Sequence, residues 1–102
     1  MNPSHQRLHT GDILITETGI PFIRHFGVVV IEGSTTCVYH CTPERGVTMD
    51  TITEFLKSRE LRHIRRTNAS LSSIYQRLKA LKSRKYHAVT FNCIHFAENL
   101  TG

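Results

Sequence analysis

Apolar and polar residues change their spacing several times along these 102 residues, and each change marks an element. Ile13-Leu14-Ile15 is entered through Gly11-Asp12 and broken off by Thr18-Gly19-Ile20-Pro21, which predicts a first strand over 11–16. His25-Phe26-Gly27-Val28-Val29-Val30-Ile31 is apolar at successive positions and rich in β-branched residues, the pattern of a strand covered on both faces. Glu32-Gly33-Ser34-Thr35 then reads as a hairpin turn, Gly33-Ser34 fitting a two-residue type II′ loop. Residues 36–41 return as the partner strand, and Pro43 and Gly46 close the unit.

Helical spacing takes over further on. Thr51-Ile52-Thr53-Glu54 has the form of a capping box, and Ile52, Phe55 and Leu56 make an apolar stripe, so a short helix is expected over 51–58. Residues 61–66 alternate weakly and read as an edge strand guarded by its arginines. Asn68 or Ser70 caps a longer helix in which Leu71, Ile74, Tyr75, Leu78 and Leu81 recur at helical spacing. A last helix over 93–100 aligns Cys93, Phe96, Ala97 and Leu100. Strands first and helices later predict an α+β domain, a small antiparallel sheet packed against helices. Residues 1–9 are polar and read as a loose arm before a single domain over 10–102.

The hairpin carries a geometric consequence. With Gly33-Ser34 as the turn, Glu32 faces Thr35 and His40 falls opposite Gly27. His25 and His40 then project from the same face as diagonal neighbours, roughly 7–8 Å apart at the backbone. Gly27, lacking a side chain, leaves room for an imidazole. A register slip of one residue would send one histidine to the other face.

Charge adds a surface to this picture. Ten of the thirteen Lys and Arg residues lie between Lys57 and Lys85, offset there by Glu60 alone, within a net charge of +5. Such a face either keeps a small protein in solution or attracts an anionic membrane or an acidic partner. Few aromatics interleave with it, which argues against nucleic acid. No stretch reaches the ~18 apolar residues of a membrane span, and the start has no apolar run of the kind an export signal needs. Three cysteines cannot all pair within one chain, so free thiols and a cytoplasmic setting are expected, delivery into a host cell being compatible with the same pattern. Cys37 and Cys41 fall on the strand face opposite His40 and no Cys-x-x-Cys pair occurs, so neither a metal nor, without a glycine-rich phosphate loop, a nucleotide cofactor is expected.

The candidate chemistry centres on Cys93. It follows the capping residue Asn92 at a helix start, where outward-pointing N–H groups and the helix dipole favour a thiolate. His95, two residues on, points away from the thiol, so the base is expected from His25, with His40 orienting it. The same cysteine also suits a small buried apolar position on its helix stripe.

These blocks resemble a known family. Gly11-Asp12-Ile13-Leu14-Ile15, His25-Phe26-Gly27-Val28-Val29-Val30, Val38-Tyr39-His40 and Asn92-Cys93-Ile94-His95-Phe96 together resemble the lecithin retinol acyltransferase-like family, a circularly permuted branch of the papain-like cysteine hydrolases related to NlpC-type cell-wall peptidases. The resemblance implies a permuted papain-like fold with the nucleophile at the start of the last helix. It also implies Cys93 as nucleophile, His25 as general base, His40 as the residue orienting it, an acyl-thioester on the cysteine, and the Cys93 N–H in the oxyanion hole. The activity so implied is hydrolysis or transfer of an acyl group from an ester, amide or thioester of a lipid or peptide. The His25–His40 interval is slightly longer than in vertebrate members, and residues 42–88 match in layout alone. Some viral members carry the same blocks without clear catalysis, so a non-catalytic binding module using the basic 57–85 surface stands as the alternative.

Overall fold

A computed structural model describes residues 7–102 apart from Ser58 and Thr90. Five strands, β1 (Ile13–Glu17), β2 (Arg24–Glu32), β3 (Thr35–Thr42), β4 (Gly46–Thr51) and β5 (Leu61–Arg65), form one antiparallel sheet in the order β4-β3-β2-β1-β5. Three helices, α1 (Ile52–Leu56), α2 (Leu71–Leu81) and α3 (Cys93–Thr101), complete an α+β domain. The arm expected over 1–9 lies mostly outside the described residues. Of its remainder, the His9 N–H donates to Asp12 and the Arg7 carbonyl accepts from Arg66.

Strand alternation gives the sheet two cores. Ile13, Val28, Val30 and Cys41 meet Ile74 and Leu81 of α2 and Phe96, Ala97 and Leu100 of α3 on one face. Leu14, Val29 and Val38 meet Phe55 of α1 on the other, with Ile52, Leu56, Leu61 and Ile64 around them. Each helix starts on a reciprocal capping box, Thr51 with Glu54, Ser70 with Ser73 and Asn92 with His95. These caps satisfy N–H groups that have no partner inside a helix.

The β2–β3 register pairs Glu32 with Thr35 and Gly27 with His40. Gly33 has φ 61° while, among the described residues, Phe22 is the one non-glycine with positive φ, so the loop has the glycine-first dihedral pattern of a type II′ turn. Two expectations need correction. The β2–β3 hairpin does close at Pro43 and Gly46, but the chain does not leave the sheet there: it turns and adds an unexpected strand, β4, pairing Gly46 with Thr42 and Asp50 with Val38. Gly27 does not make room for an imidazole either. A Cβ there would lie 2.5 Å from Val38 Cγ1 and 2.7 Å from Phe55 Cζ, so the missing side chain admits the Phe55 ring.

The Gly11-Asp12 pair is a structural clamp. Gly11 has φ 93°, and a Cβ there would come within 2.9 Å of the Ala69 carbonyl. Asp12 is fully buried, and Arg66 donates to it from Nε at 3.0 Å and Nη2 at 3.2 Å. This ties the start of β1 to the segment that leads into α2.

Candidate functional site

His25 stands at the start of β2 and His40 near the end of β3, on the face covered by α1. Their rings meet edge to face, with His25 Nε2 2.8 Å from His40 Nδ1. His40 is fully buried, and its Nε2 lies 2.8 Å from Asp50 Oδ2. Asp50 in turn receives both guanidinium nitrogens of Arg45, at 3.2 and 2.7 Å. Phe55 packs against both imidazoles, stacked on His25 at 5.7 Å and edge-on to His40 at 4.9 Å between centroids.

Donor–acceptor logic orders the protons along this chain. Arg45 holds the Asp50 carboxyl down to about 2, so at neutral pH it is a carboxylate and can only accept. His40 Nε2 must therefore carry a hydrogen. Burial holds His40 below its ordinary range despite Asp50, which leaves the ring neutral and its Nδ1 a bare acceptor. His25 then donates from Nε2, and its own Nδ1 keeps an unshared pair. Burial first, and then the charges of Arg59 and His40, lower His25 to about 3, so it too is neutral.

Cys93 is the first residue of α3, on the helix that packs against the opposite face. Its sulfur is not inside that core. β3 accompanies β2 only from Gly27 onward, and the thiol sits against the stretch left uncovered. It donates to the Arg24 carbonyl at 3.8 Å and lies near enough to the Phe26 N–H to be influenced by it. Main-chain donors and acceptors lie in the plane of a sheet, so the sulfur occupies the β2 edge, between the two faces. Among the described residues no hydrogen bond joins Cys93 to His25; each uses the partners just named.

The expected ionisation of the thiol is not what the structure gives. Burial pushes Cys93 up, outweighing the lowering effects of the Phe26, Cys93 and Ile94 N–H groups and of Arg59. The helix start is real, but the capping Asn92 side chain already accepts from Ile94 and His95, spending part of the field on itself. His95 closes that cap by accepting from the Asn92 N–H at 3.3 Å, and so serves the helix.

Asp50, Arg45 and Arg59 were not singled out from the sequence. For Asp50 a signal existed: Val47-Thr48-Met49-Asp50 alternates after a Pro43–Gly46 turn, and counting back from that turn places residue 50 diagonal to His40. Arg59 follows a helix end and has no periodic signal.

A cleft of about 250 Å³ opens beside His25, lined also by Thr18, Thr42, Pro43, Glu44 and Arg59. Cys93 is not one of its walls. A larger hollow of about 580 Å³ runs between β5, α2 and the end of α3, and none of the relay residues lines it. Cys37, Cys41 and Cys93 are all free thiols. Among the described residues no three His, Cys, Asp or Glu side chains gather as a metal site requires, and no helix is long and apolar enough to cross a membrane.

The basic stretch is divided. Arg62 pairs with Glu17 and Glu60, Arg65 with Glu98 and Arg66 with buried Asp12, so β5 and its exit spend their charge internally. The chain matches no protein-family model and no curated protein.

Proposed function

We propose that this protein is a cysteine-dependent hydrolase or acyltransferase with Cys93 as nucleophile and His25 as general base, built on a permuted papain-like fold. The observation that carries the reading is the directional chain Arg45–Asp50–His40–His25, which leaves the unshared pair on His25 Nδ1. A structural histidine has no need of such an ordering. A general base does, because it must offer a lone pair in a fixed direction.

The resting pair is neutral: the thiol is raised and the imidazole lowered. Catalysis therefore proceeds by concerted proton removal as a substrate closes the gap, not from a standing thiolate–imidazolium pair. Sulfur attacks the acyl carbon, its proton passes to His25 Nδ1, and the imidazolium then protonates the leaving oxygen, nitrogen or sulfur. His40 stabilises the transient cation through the Asp50 carboxylate. The Cys93 N–H, which the Asn92 side chain does not use, is the main-chain donor assigned in this reading to the developing oxyanion. Water or a second acceptor then resolves the thioester.

Exposed apolar residues support an acyl substrate. Ile20, Phe22 and Ile23 lie just before Arg24, whose carbonyl holds the thiol, while Val89 and Ile94 flank Cys93 in sequence. Exposed apolar side chains close in sequence to a reactive group are a feature of many binding sites.

The test is intact-mass detection of an acyl adduct after incubation with p-nitrophenyl acetate and butyrate. Wild type should gain one acyl mass on Cys93, and His25→Ala should slow its appearance by about 10²-fold or more. Cys93 acylating no faster than Cys37, with His25→Ala unchanged, would overturn the reading. The alternative binding role would instead keep vesicle affinity in Cys93→Ala and lose it with salt.

A further inference from the structure

Arg59 is the cation of the His25 cleft that the proposed mechanism does not use. Its position is held from two sides: Nη1 donates to the Phe55 carbonyl at 2.8 Å, and the guanidinium lies 5.0 Å from the centroid of the Phe55 ring. The same ring stacks on His25, so Phe55 fixes the base and the cation relative to each other.

Other arginines near the site have carboxylate partners. Arg24 pairs with Glu17, Arg45 with Asp50 and Arg62 with Glu17 and Glu60. Arg59 has none among the described residues. Glu44 lines the same cleft but forms no ion pair with it. The charge is nonetheless felt by the reacting groups, since Arg59 contributes to the lowering of His25 and opposes the rise of Cys93. A partly buried guanidinium with one edge committed and the rest open onto a cleft is a fork for an oxyanion, because its remaining N–H groups match a carboxylate or phosphate in a charge-assisted pair.

The geometry points to Arg59 as a specificity residue that binds a carboxylate or phosphate on the leaving-group side of the substrate. The side follows from the roles proposed above, on which this inference rests: the cleft lies at His25, which protonates the leaving group, and Cys93 is not one of its walls. Its volume, about 250 Å³, accommodates a short acidic fragment. Neutral esters would react without this anchor, and acidic ones would be held with the scissile bond at the base.

Titration of the ¹⁵N-labelled protein, followed at the Arg59 side-chain N–H and the His25 ring, tests the inference without any acyl chemistry. The probes are glycolate, inorganic phosphate and methyl glycolate, the last being the neutral counterpart. Glycolate or phosphate should shift both residues saturably, with methyl glycolate at least about tenfold weaker, and the tighter of the two anions names the group. Arg59→Gln should remove the difference, and Glu44→Gln, which takes a competing negative charge out of the cleft, should tighten anion binding. Equal binding of the neutral probe, shifts no larger than those at Arg77 and Arg84, or no tightening in Glu44→Gln would overturn it. Failure of acylation at Cys93 would sink the proposed chemistry while leaving an Arg59-dependent anion site in place, so the two outcomes are separable.

Discussion

Asp50 reaches His40 diagonally across the β3–β4 pair: its Oδ2 accepts from His40 Nε2 at 2.8 Å, although the residue directly opposite His40 is Thr48. That diagonal converts two stacked imidazoles into an ordered relay. Without an acceptor-only group at one end, either nitrogen of either ring could hold the hydrogen. With it, one arrangement is favoured throughout, and Arg45 keeps the carboxylate charged.

Asp50→Asn tests this ordering. An amide can donate as well as accept, so the direction of the chain is lost while the shape is kept. Acyl-adduct formation on Cys93 should fall by about 10²–10⁴-fold, the scale of a carboxylate-to-amide change in a hydrolytic triad. The ¹⁵N shifts of His25 should show mixed tautomers. A wild-type rate in a folded Asp50→Asn protein would mean that the relay is structural only.

Acid stability follows from the same groups. His25 titrates near 3 in the fold against 6.5 when free, and His40 is lowered too, so the unfolded chain binds protons that the fold refuses. The His25 contribution is complete well above pH 6.5 and is lost as pH falls from there toward about 3, with a slope of up to about 1.4 kcal/mol per pH unit, and His40 adds to the loss in the same direction. Asp50, lowered from 3.8 to about 2, adds a further loss only at lower pH, between 3.8 and about 2. Urea midpoints measured from pH 8 to 4 should decline below 6.5, and His25→Gln should make the decline shallower. Midpoints that stay flat to pH 4 would contradict this account.

Gly27→Ala should disturb the site from beneath. The added methyl meets Phe55 Cζ at 2.7 Å and Val38 Cγ1 at 2.5 Å, both fully buried. Either the ring or the strand must move, at a cost of about 1–3 kcal/mol. Because Phe55 stacks on His25, adduct formation should slow along with the drop in urea midpoint.

Arg66→Ala should be more damaging than its exposed position suggests. Asp12 is fully buried, and Arg66 supplies the guanidinium that neutralises it. Removing that partner leaves the buried carboxylate with the His9 N–H but no guanidinium, a loss of about 3 kcal/mol, whereas Asp12→Ala/Arg66→Ala together should recover part of it. Arg66 is thus a poor probe of membrane binding, and Lys79 and Lys82 of the α2 surface serve better. A negligible stability change in Arg66→Ala would refute the clamp.

Much of the frame is legible in order along the chain, because it rests on local rules. A glycine-first two-residue turn sets the β2–β3 register, register and alternation put His25 and His40 on one face, and Ser70 and Asn92 start α2 and α3 where their side chains can cap. β4 went unread because a six-residue strand starting at Gly46 offers one short alternation, Val47 and Met49, before the cap at Thr51. Had that turn been counted, Asp50 would have come with it.

The amino-acid order by itself determined the α+β class, the hairpin register and the pairing of the two histidines, since each follows from element order, turn chemistry and strand alternation. Tertiary structure alone decided that Phe55 fills the space above Gly27, that Cys93 sits at the β2 edge with its thiol raised, and that Arg59 faces His25. The physical reason is desolvation and close packing. How much water a group loses, and which charge replaces it, is set by elements remote in sequence that arrive only when the sheet and its helices close around it.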